Sequence, residues 1–286
     1  MADSEANSVR IIDSHHHFWH YTLEDYGWMD DSMVAIRRDF LPTDLQTEIS
    51  NAGVEGVVSV QARQSLEETR MLCDFAGQHD FIKGVVGWVP LLTDELPAAL
   101  EEFSSETKLK AVRHVVQDEP DDFLLRDDFN EGVALLAANG LVYDVLIFER
   151  QLPAAIEFVD KHTDQSFVLD HIAKPKIGAD ELEPWRTNLL KLAERENIVC
   201  KLSGMVTEAD YQSWTPQQLQ PYLETVLEAF GPKRLMFGTD WPVCTLACEY
   251  QEWVRIIREF AAPLTETERH ALFFETANQA YHLQLD

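Results

Sequence analysis

The sequence predicts a single-domain α/β protein of the (β/α)8 TIM-barrel class. Short apolar runs alternate with amphipathic helical stretches along the whole chain, and there are eight such runs. Near-continuous apolar runs are typical of parallel strands that are buried on both faces. No G-x-G-x-x-G follows the first run, which disfavours an open dinucleotide-binding sheet. An open doubly wound sheet is the competing architecture.

The predicted strands are rich in Val, Ile, Leu or Phe and are bounded by polar residues, Gly or Pro. They lie at residues 10–13, 56–61, 83–89, 109–116, 141–147, 166–170, 198–202 and 234–237. Alternation of eight strands with helices over this length predicts a closed barrel.

Helix starts between these strands carry capping signals. Ser65 stands three residues before Glu68, which is the spacing of a capping box. Thr215 precedes Pro216 and opens a helix that can end at Gly231. The stretch TETE near the carboxyl terminus is a second capping box and predicts a final helix.

Three segments define the predicted organisation. Residues 1–9 are polar and are expected to form a flexible N-terminal leader, and residues 10–286 form the barrel. The stretch at about 20–43 is too long for a simple connection and is rich in aromatic side chains. Because long loops in compact domains are often functional, we expect this insertion to cover part of the pocket.

Charge and composition restrict the partners. The 286 residues include 23 Lys and Arg against 50 Asp and Glu, a formal net charge of -27. Such a surface repels phosphate backbones and anionic membranes, so neither nucleic acid nor membrane is an expected partner. The polar start of the chain lacks the apolar core of a signal peptide, so a cytoplasmic location is expected. A homo-oligomer remains open.

Candidate catalytic residues follow the predicted strands at the end where TIM barrels carry their active sites. His15 and His17 follow the first strand two residues apart, so their side chains point the same way. His171 follows the sixth strand and Asp240 the eighth. An apolar strand precedes the histidine run, which disfavours a purification tag. Helix capping by Asp240 and a carbonyl contact by His171 are the structural alternatives.

Longer motifs resemble a known family. The His-x-His pair, FVLDHIAKP and GTDWP resemble the amidohydrolase superfamily, specifically its amidohydrolase-related branch. The blocks VQARQSLEET, VRHVVQDEPDDFLLR and VCKLSGMVTEAD are similar to the L-fuconolactonase-like sugar lactonases of that branch. The resemblance covers about residues 10–283.

The resemblance implies a barrel that hydrolyses an aldonolactone or similar small lactone to the hydroxy acid. His15 and His17 match the metal-binding pair of the family, Asp240 matches the carboxylate of the eighth strand, and His171 is a further potential ligand. A divalent metal is therefore implied, zinc being the expected ion. We expect Asp240 to act as general base and His171 to orient water or hold the developing oxyanion.

One departure leaves the metal open. Family members with strong metal sites carry a lysine, glutamate or histidine ligand on the fourth or fifth strand. Here Arg113-His114 and Tyr143-Asp144 stand at those places, so a metal that is dispensable for activity is the alternative. Arg113 and His114 alternate, so only one of them can face the lumen, and the sequence does not decide which.

Substrate contacts are expected from charged and aromatic side chains near the strand ends. Lysines such as Lys174 and Lys201 can bind hydroxyls or the developing carboxylate, although a loop or strand-edge position explains them equally well. Tryptophans can stack on sugar faces or simply pack. The candidate substrate-binding residues are Arg113, His114, Trp28, Trp88, Lys174 and Tyr143.

Two rival functions remain at this point. One is a different hydrolase or a decarboxylase of the same superfamily, acting on an aromatic-derived lactone or carboxylic acid. The other is a non-catalytic barrel that binds a sugar acid. A binder has no need for a base opposite imidazoles, so the His-x-His, His171 and Asp240 set favours an enzyme.

Overall fold

Eight parallel strands form one sheet in the computed structural model, which describes residues 9–286. The strands are β1 (Ile12–His16), β2 (Gly56–Val60), β3 (Ile82–Gly87), β4 (Leu109–His114), β5 (Val142–Val145), β6 (Phe167–Leu169), β7 (Ile198–Leu202) and β8 (Leu235–Phe237). Each strand pairs with the next along the chain. The amide of Asp240, just after β8, donates to the carbonyl of His15 over 2.7 Å. The predicted (β/α)8 TIM barrel is therefore confirmed.

Helices connect successive strands and surround the sheet. They are α1 (Pro42–Ala52), α2 (Leu66–Gln78), α3 (Leu96–Glu102), α4 (Asp127–Ala138), α5 (Leu152–Lys161), α6 (Trp185–Leu192), α7 (Pro216–Phe230), α8 (Tyr250–Ala261), α9 (Glu266–His270) and α10 (Thr276–Ala280). Thr215 caps α7, and Gly231 ends it. Thr265 and Glu268 form the predicted reciprocal capping box of α9.

The capping box predicted for α2 is only half formed. Ser65 accepts a hydrogen bond from the amide of Glu68, as expected. The carboxylate of Glu68 does not return to Ser65, because it accepts hydrogen bonds from the amides of Ala62 and Arg63 and from the hydroxyl of Tyr26. Glu68 thus holds the loop between β2 and α2 and ties it to the aromatic insertion.

The barrel lumen has an apolar lower half. Ile12, Val58, Val60, Val86, Ala111, Val142, Val168 and Met236 fill it from the strands. The carboxyl-terminal end of the chain covers it, with Phe274, Ala277, Tyr281 and Leu283 packed against the same cluster. The next lumen-facing residues, two positions further along the strands, therefore lie on top of this apolar layer. They are at the end of the barrel where parallel strands present catalytic groups.

The first connection differs most from a standard short loop. β1 runs to His16 and not only to the predicted end at residue 13, so His15 and His16 lie on the strand and His17 follows it directly. Between β1 and α1, Trp19, Tyr26 and Phe40 are buried, and a short 3₁₀ helix spans Asp31–Ile36. The predicted leader lies outside the described residues, except for Val9. Among the described residues, no helix is long and apolar enough to cross a membrane.

Candidate active site

A local irregularity in β1 turns His15, on the strand, and His17, directly after it, toward the lumen. The pairing register of β1 with β2 shifts between Asp13 and His16, which is a β-bulge. Asp13 faces the outer helices, where it accepts a hydrogen bond from the hydroxyl of Tyr250 over 3.0 Å. Beyond the bulge, His15 and His17 both face the lumen and reach the same carboxylate.

That carboxylate belongs to Asp240, which follows β8. Its Oδ1 lies 3.2 Å from Nε2 of His17, 3.7 Å from Nε2 of His15 and 3.9 Å from Nε2 of His171. All four side chains are buried. The structure therefore brings together the four residues that the sequence singles out.

Hydrogen bonds at Nδ1 orient the rings of His17 and His171. Nδ1 of His17 lies 2.8 Å from the carbonyl oxygen of Val60, and a carbonyl only accepts, so Nδ1 carries the proton. Nε2 of His17 then directs its lone pair at Oδ1 of Asp240, which is also an acceptor. Two acceptors this close need a proton or a cation between them. Nδ1 of His171 lies 2.9 Å from the hydroxyl of Ser203, which holds the ring and can either donate or accept the hydrogen bond.

The charge states suit a metal ion. Burial lowers the pKa of His171 to about 4 and that of His15 well below its ordinary value, so both rings are neutral at pH 7. Burial opposes ionisation of Asp240, but His171 and His17 outweigh it and lower its pKa. The ligand atoms of His15, His171 and Asp240 lie within 4.8 Å of one another. Two neutral imidazoles and a carboxylate form a donor set that fits zinc.

A buried ionic network lies directly beneath this cluster. Nη1 of Arg113 is 2.9 Å from Asp170 and 3.4 Å from Nε2 of His15. Nζ of Lys201 is 2.9 Å from Asp170 and 2.6 Å from Asp144. Two cations thus balance two carboxylates within the lumen, and none of them is exposed. Burial raises the pKa of Asp144 to about 6, although Lys201 opposes that rise.

The structure separates the alternating residues of β4 and β5. Arg113 faces the lumen, whereas the ring of His114 stacks on Phe123 with centroids 5.1 Å apart. Tyr143 packs edge-on against Phe158 in the layer between the strands and the helices. Neither His114 nor Tyr143 is brought to Asp240, so their part in substrate binding stays a prediction.

The two tryptophans that are predicted to contact substrate differ in exposure. Trp28 is 41% exposed and meets the edge of Trp19, whose ring stacks on His17 at 6.2 Å. Trp88 is partly buried and lies two residues beyond the lumen-facing Val86 of β3. Its indole N–H has no hydrogen-bond partner among the described residues. Both remain candidates for contact with a substrate.

Several residues at the site were not selected from the sequence. Asp144 and Asp170 follow a lumen-facing alternation with Val142 and Val168, and such a pattern could have indicated them. A lysine within a buried strand requires a counter-charge. This requirement could have indicated that Lys201 has acidic partners in the lumen. The carboxylate of Glu208, which lies 3.5 Å from Lys174, carried no comparable signal in the sequence.

Comparison with known proteins agrees with this geometry. Residues 12–283 match the model of the family described as amidohydrolase. The chain is 41% identical to an L-fucono-1,5-lactonase of Burkholderia multivorans over 284 residues, 95% of this chain and 96% of the relative. It is 36% identical to an L-fucono-1,5-lactonase of Burkholderia ambifaria, over 85% of this chain and 83% of the relative.

A solved structure supports the same relationship. The crystal structure of an amidohydrolase from Burkholderia multivorans with bound zinc superposes with a TM-score of 0.91 at 41% identity, over 96% of this chain and 99% of the other. A family match across nearly the whole barrel and relatives this similar leave one conclusion. The chain belongs to the amidohydrolase family.

Proposed function

We propose that this protein hydrolyses a small sugar lactone, of the L-fucono-1,5-lactone type, to the open hydroxy acid. The observation that carries the proposal is one buried carboxylate, Asp240, facing three imidazole nitrogens at the catalytic end of the barrel. The two similar lactonases give the substrate class. A site that only binds a ligand has no use for this combination of base and neutral imidazoles.

The reaction needs a base, and Asp240 supplies it. Its lowered pKa keeps the carboxylate ionised at neutral pH. Asp240 removes a proton from the attacking water, and the oxygen adds to the lactone carbonyl. When the ring C–O bond breaks, its electron pair stays on the ring oxygen, and Asp240 returns the proton to that oxygen. The carboxylate is then restored for the next turnover.

The other side chains position water and stabilise charge. His171, held by Ser203, is placed to orient the water or to contact the developing oxyanion. The guanidinium of Arg113 lies below His15 and adds a fixed positive charge in a site shielded from water. Because the network of Arg113, Asp170 and Lys201 is already paired, it needs little rearrangement during the reaction.

Zinc is part of the proposal. His15, His17 and Asp240 would hold it, with His171 as a further ligand, because neutral imidazoles and an ionised carboxylate are the forms that bind metal. A bound zinc ion supplies Lewis acidity and lowers the pKa of a water molecule to about 7. The opposed acceptors of His17 and Asp240 are the feature of this structure that favours a cation there.

The test is release of acid from a sugar lactone. Purified protein should open L-fucono-1,5-lactone. The acid released at a fixed substrate concentration is measured with a pH indicator. Asp240→Asn should lower kcat by about 100-fold or more, because general-base catalysis contributes that much. Asp31→Asn, at an exposed aspartate of the insertion, is the matched control. Equal activity of wild type and Asp240→Asn would sink the proposal, as would failure of wild type on every aldonolactone tried.

The cytoplasmic location and the self-association of the chain are not tested by this experiment and stay predictions.

A further inference from the structure

Four consecutive residues after β6 adopt a left-handed turn without any glycine. The φ angles are 51° at His171, 51° at Ile172, 60° at Ala173 and 45° at Lys174. A left-handed conformation costs about 1–2 kcal/mol for each residue with a side chain. Strain of this kind persists where the surroundings enforce it, and it clusters at functional sites.

The surroundings of the turn enforce it in this way. Ile172 and Ala173 are fully buried, and the indole of Trp185 donates to the carbonyl of Ile172 over 2.7 Å. The amide of Lys174 donates back to the carbonyl of His171 over 2.8 Å. The turn therefore fixes the position of Lys174 relative to His171 through the backbone and not through a flexible loop.

Lys174 is tied to the catalytic cluster through the backbone, because its amide donates to the carbonyl of His171. The side chain of Lys174 is only 18% exposed, and its Nζ also lies 5.5 Å from the ring centroid of Phe148. The turn therefore holds a partly buried lysine three residues from His171, at the carboxyl end of β6.

A carboxylate on the connection that follows β7 lies beside this lysine. Glu208 ends the short 3₁₀ helix Val206–Glu208 that follows β7, and its side chain is 19% exposed. Its Oε1 lies 3.5 Å from Nζ of Lys174, longer than a direct hydrogen bond. Burial raises the pKa of Glu208, and Lys174 opposes the rise.

We propose that Lys174 and Glu208 form a hydroxyl-binding pair that selects polyhydroxylated lactones, an inference that rests on the proposed function. A sugar hydroxyl can accept a hydrogen bond from Lys174 and donate one to Glu208 at the same time. The pair thus offers one donor and one acceptor to a group that needs both. A lactone without hydroxyls would leave the two partly buried charges without this partner, which penalises its binding.

The same pair disfavours acidic substrates. A substrate carboxylate near Lys174 would also meet the negative charge of Glu208. Like charges placed together discriminate against a ligand as effectively as missing contacts do. The chemistry therefore selects neutral, hydroxylated rings.

The experiment compares L-fucono-1,5-lactone with δ-valerolactone, a six-membered lactone without hydroxyls. The measured quantity is the ratio of kcat/KM for the two lactones. Glu208→Gln and Lys174→Met should each lower this ratio about tenfold or more, mainly through KM of the sugar lactone, because hydrogen bonds to charged groups are lost. The double variant should lose little more than either single variant, because both residues serve one hydroxyl.

Lys176→Met is the matched control, since Lys176 lies two residues further on and its side chain is 58% exposed. Equal losses on both lactones would indicate a structural role and overturn the inference, as would an unchanged ratio in both single variants. Thermal melts identify any variant that fails to fold, and the other single variant then decides. Absence of turnover by wild type on both lactones contradicts the proposed function itself.

Discussion

At the scale of single residues, the proton positions of the histidines decide what the site can hold. The carbonyl of Val60 forces the proton of His17 onto Nδ1 and leaves Nε2 facing the carboxylate of Asp240. This pairing of two acceptors is unfavourable unless a proton or cation lies between them. The sequence can place the two residues together but cannot reveal this conflict.

The expected consequence is stoichiometric zinc binding. Protein dialysed against zinc should retain about one ion per chain by elemental analysis, and His17→Asn should retain much less, because an imidazole ligand is lost. His114→Asn is the control, since His114 is a buried histidine that stacks on Phe123 away from the cluster.

The pH dependence of zinc retention has a definite sign. Burial depresses the pKa of His171 to about 4, so its ring is neutral above that pH and free to bind metal. Protonation of His171 should therefore not release zinc between about pH 7 and about pH 5, although the ordinary histidine pKa is about 6.5. Equal zinc content in wild type and His17→Asn would contradict the proposed ligand set.

At the scale of elements, a glycine after β7 makes room for His171. Gly204 has a φ of +63°, and a Cβ built on it would lie 2.3 Å from Nδ1 of His171. The ring of His171 can keep its bond to Ser203 only because no side chain is present at position 204. The connection after β7 thus determines the position of His171, which lies on the connection after β6 and for which we propose a catalytic role.

Gly204→Ala should therefore impair catalysis beyond its effect on stability. Displacement of His171 should lower kcat roughly 10- to 100-fold, because small errors in position are costly. Gly140→Ala is the matched control, with a φ of +69° and open space around the new Cβ. Both variants should lose about 1–2 kcal/mol of unfolding free energy from left-handed strain. A kcat loss for Gly140→Ala as large as for Gly204→Ala would refute the assignment.

At the scale of the whole molecule, the two ends of the barrel are joined by one tyrosine. Tyr281 follows α10 at the amino-terminal end of the strands, and its hydroxyl donates to Asp144 over 2.6 Å inside the lumen. Asp144 in turn contacts Lys201, which lies 3.3 Å from Nδ1 of His15. The carboxyl terminus therefore supports the ionic network beneath the catalytic cluster.

Removal of that hydroxyl should destabilise the fold. Tyr281→Phe is expected to lower the unfolding free energy by about 2 kcal/mol, because a buried carboxylate loses a hydrogen bond. Urea denaturation measures the change. Tyr143→Phe is the control, since the hydroxyl of Tyr143 is buried without a partner in residues 9–286, and its removal should cost little. Equal losses in the two variants would show that the Tyr281 bond contributes nothing specific.

Much of the architecture was accessible from residue patterns. All eight predicted strands overlap the observed ones, because buried parallel strands have unmistakably apolar runs. The ends were less certain: β1 continues to His16, since polar histidines can extend a strand when a bulge redirects them. The half-formed capping box at Ser65 failed for a tertiary reason, because Glu68 has better partners in the insertion and the adjoining loop.

The local sequence determined the barrel and pointed to the residues that we propose for catalysis, because strand period and chain order place His15, His17, His171 and Asp240 at one end of a closed sheet. Tertiary structure alone decided which of Arg113 and His114 faces the lumen, since that depends on the register of β4 against its neighbours. It also decided the pairing of Lys174 with Glu208 and of Tyr281 with Asp144. These partners are distant in sequence, and only packing brings their charges together.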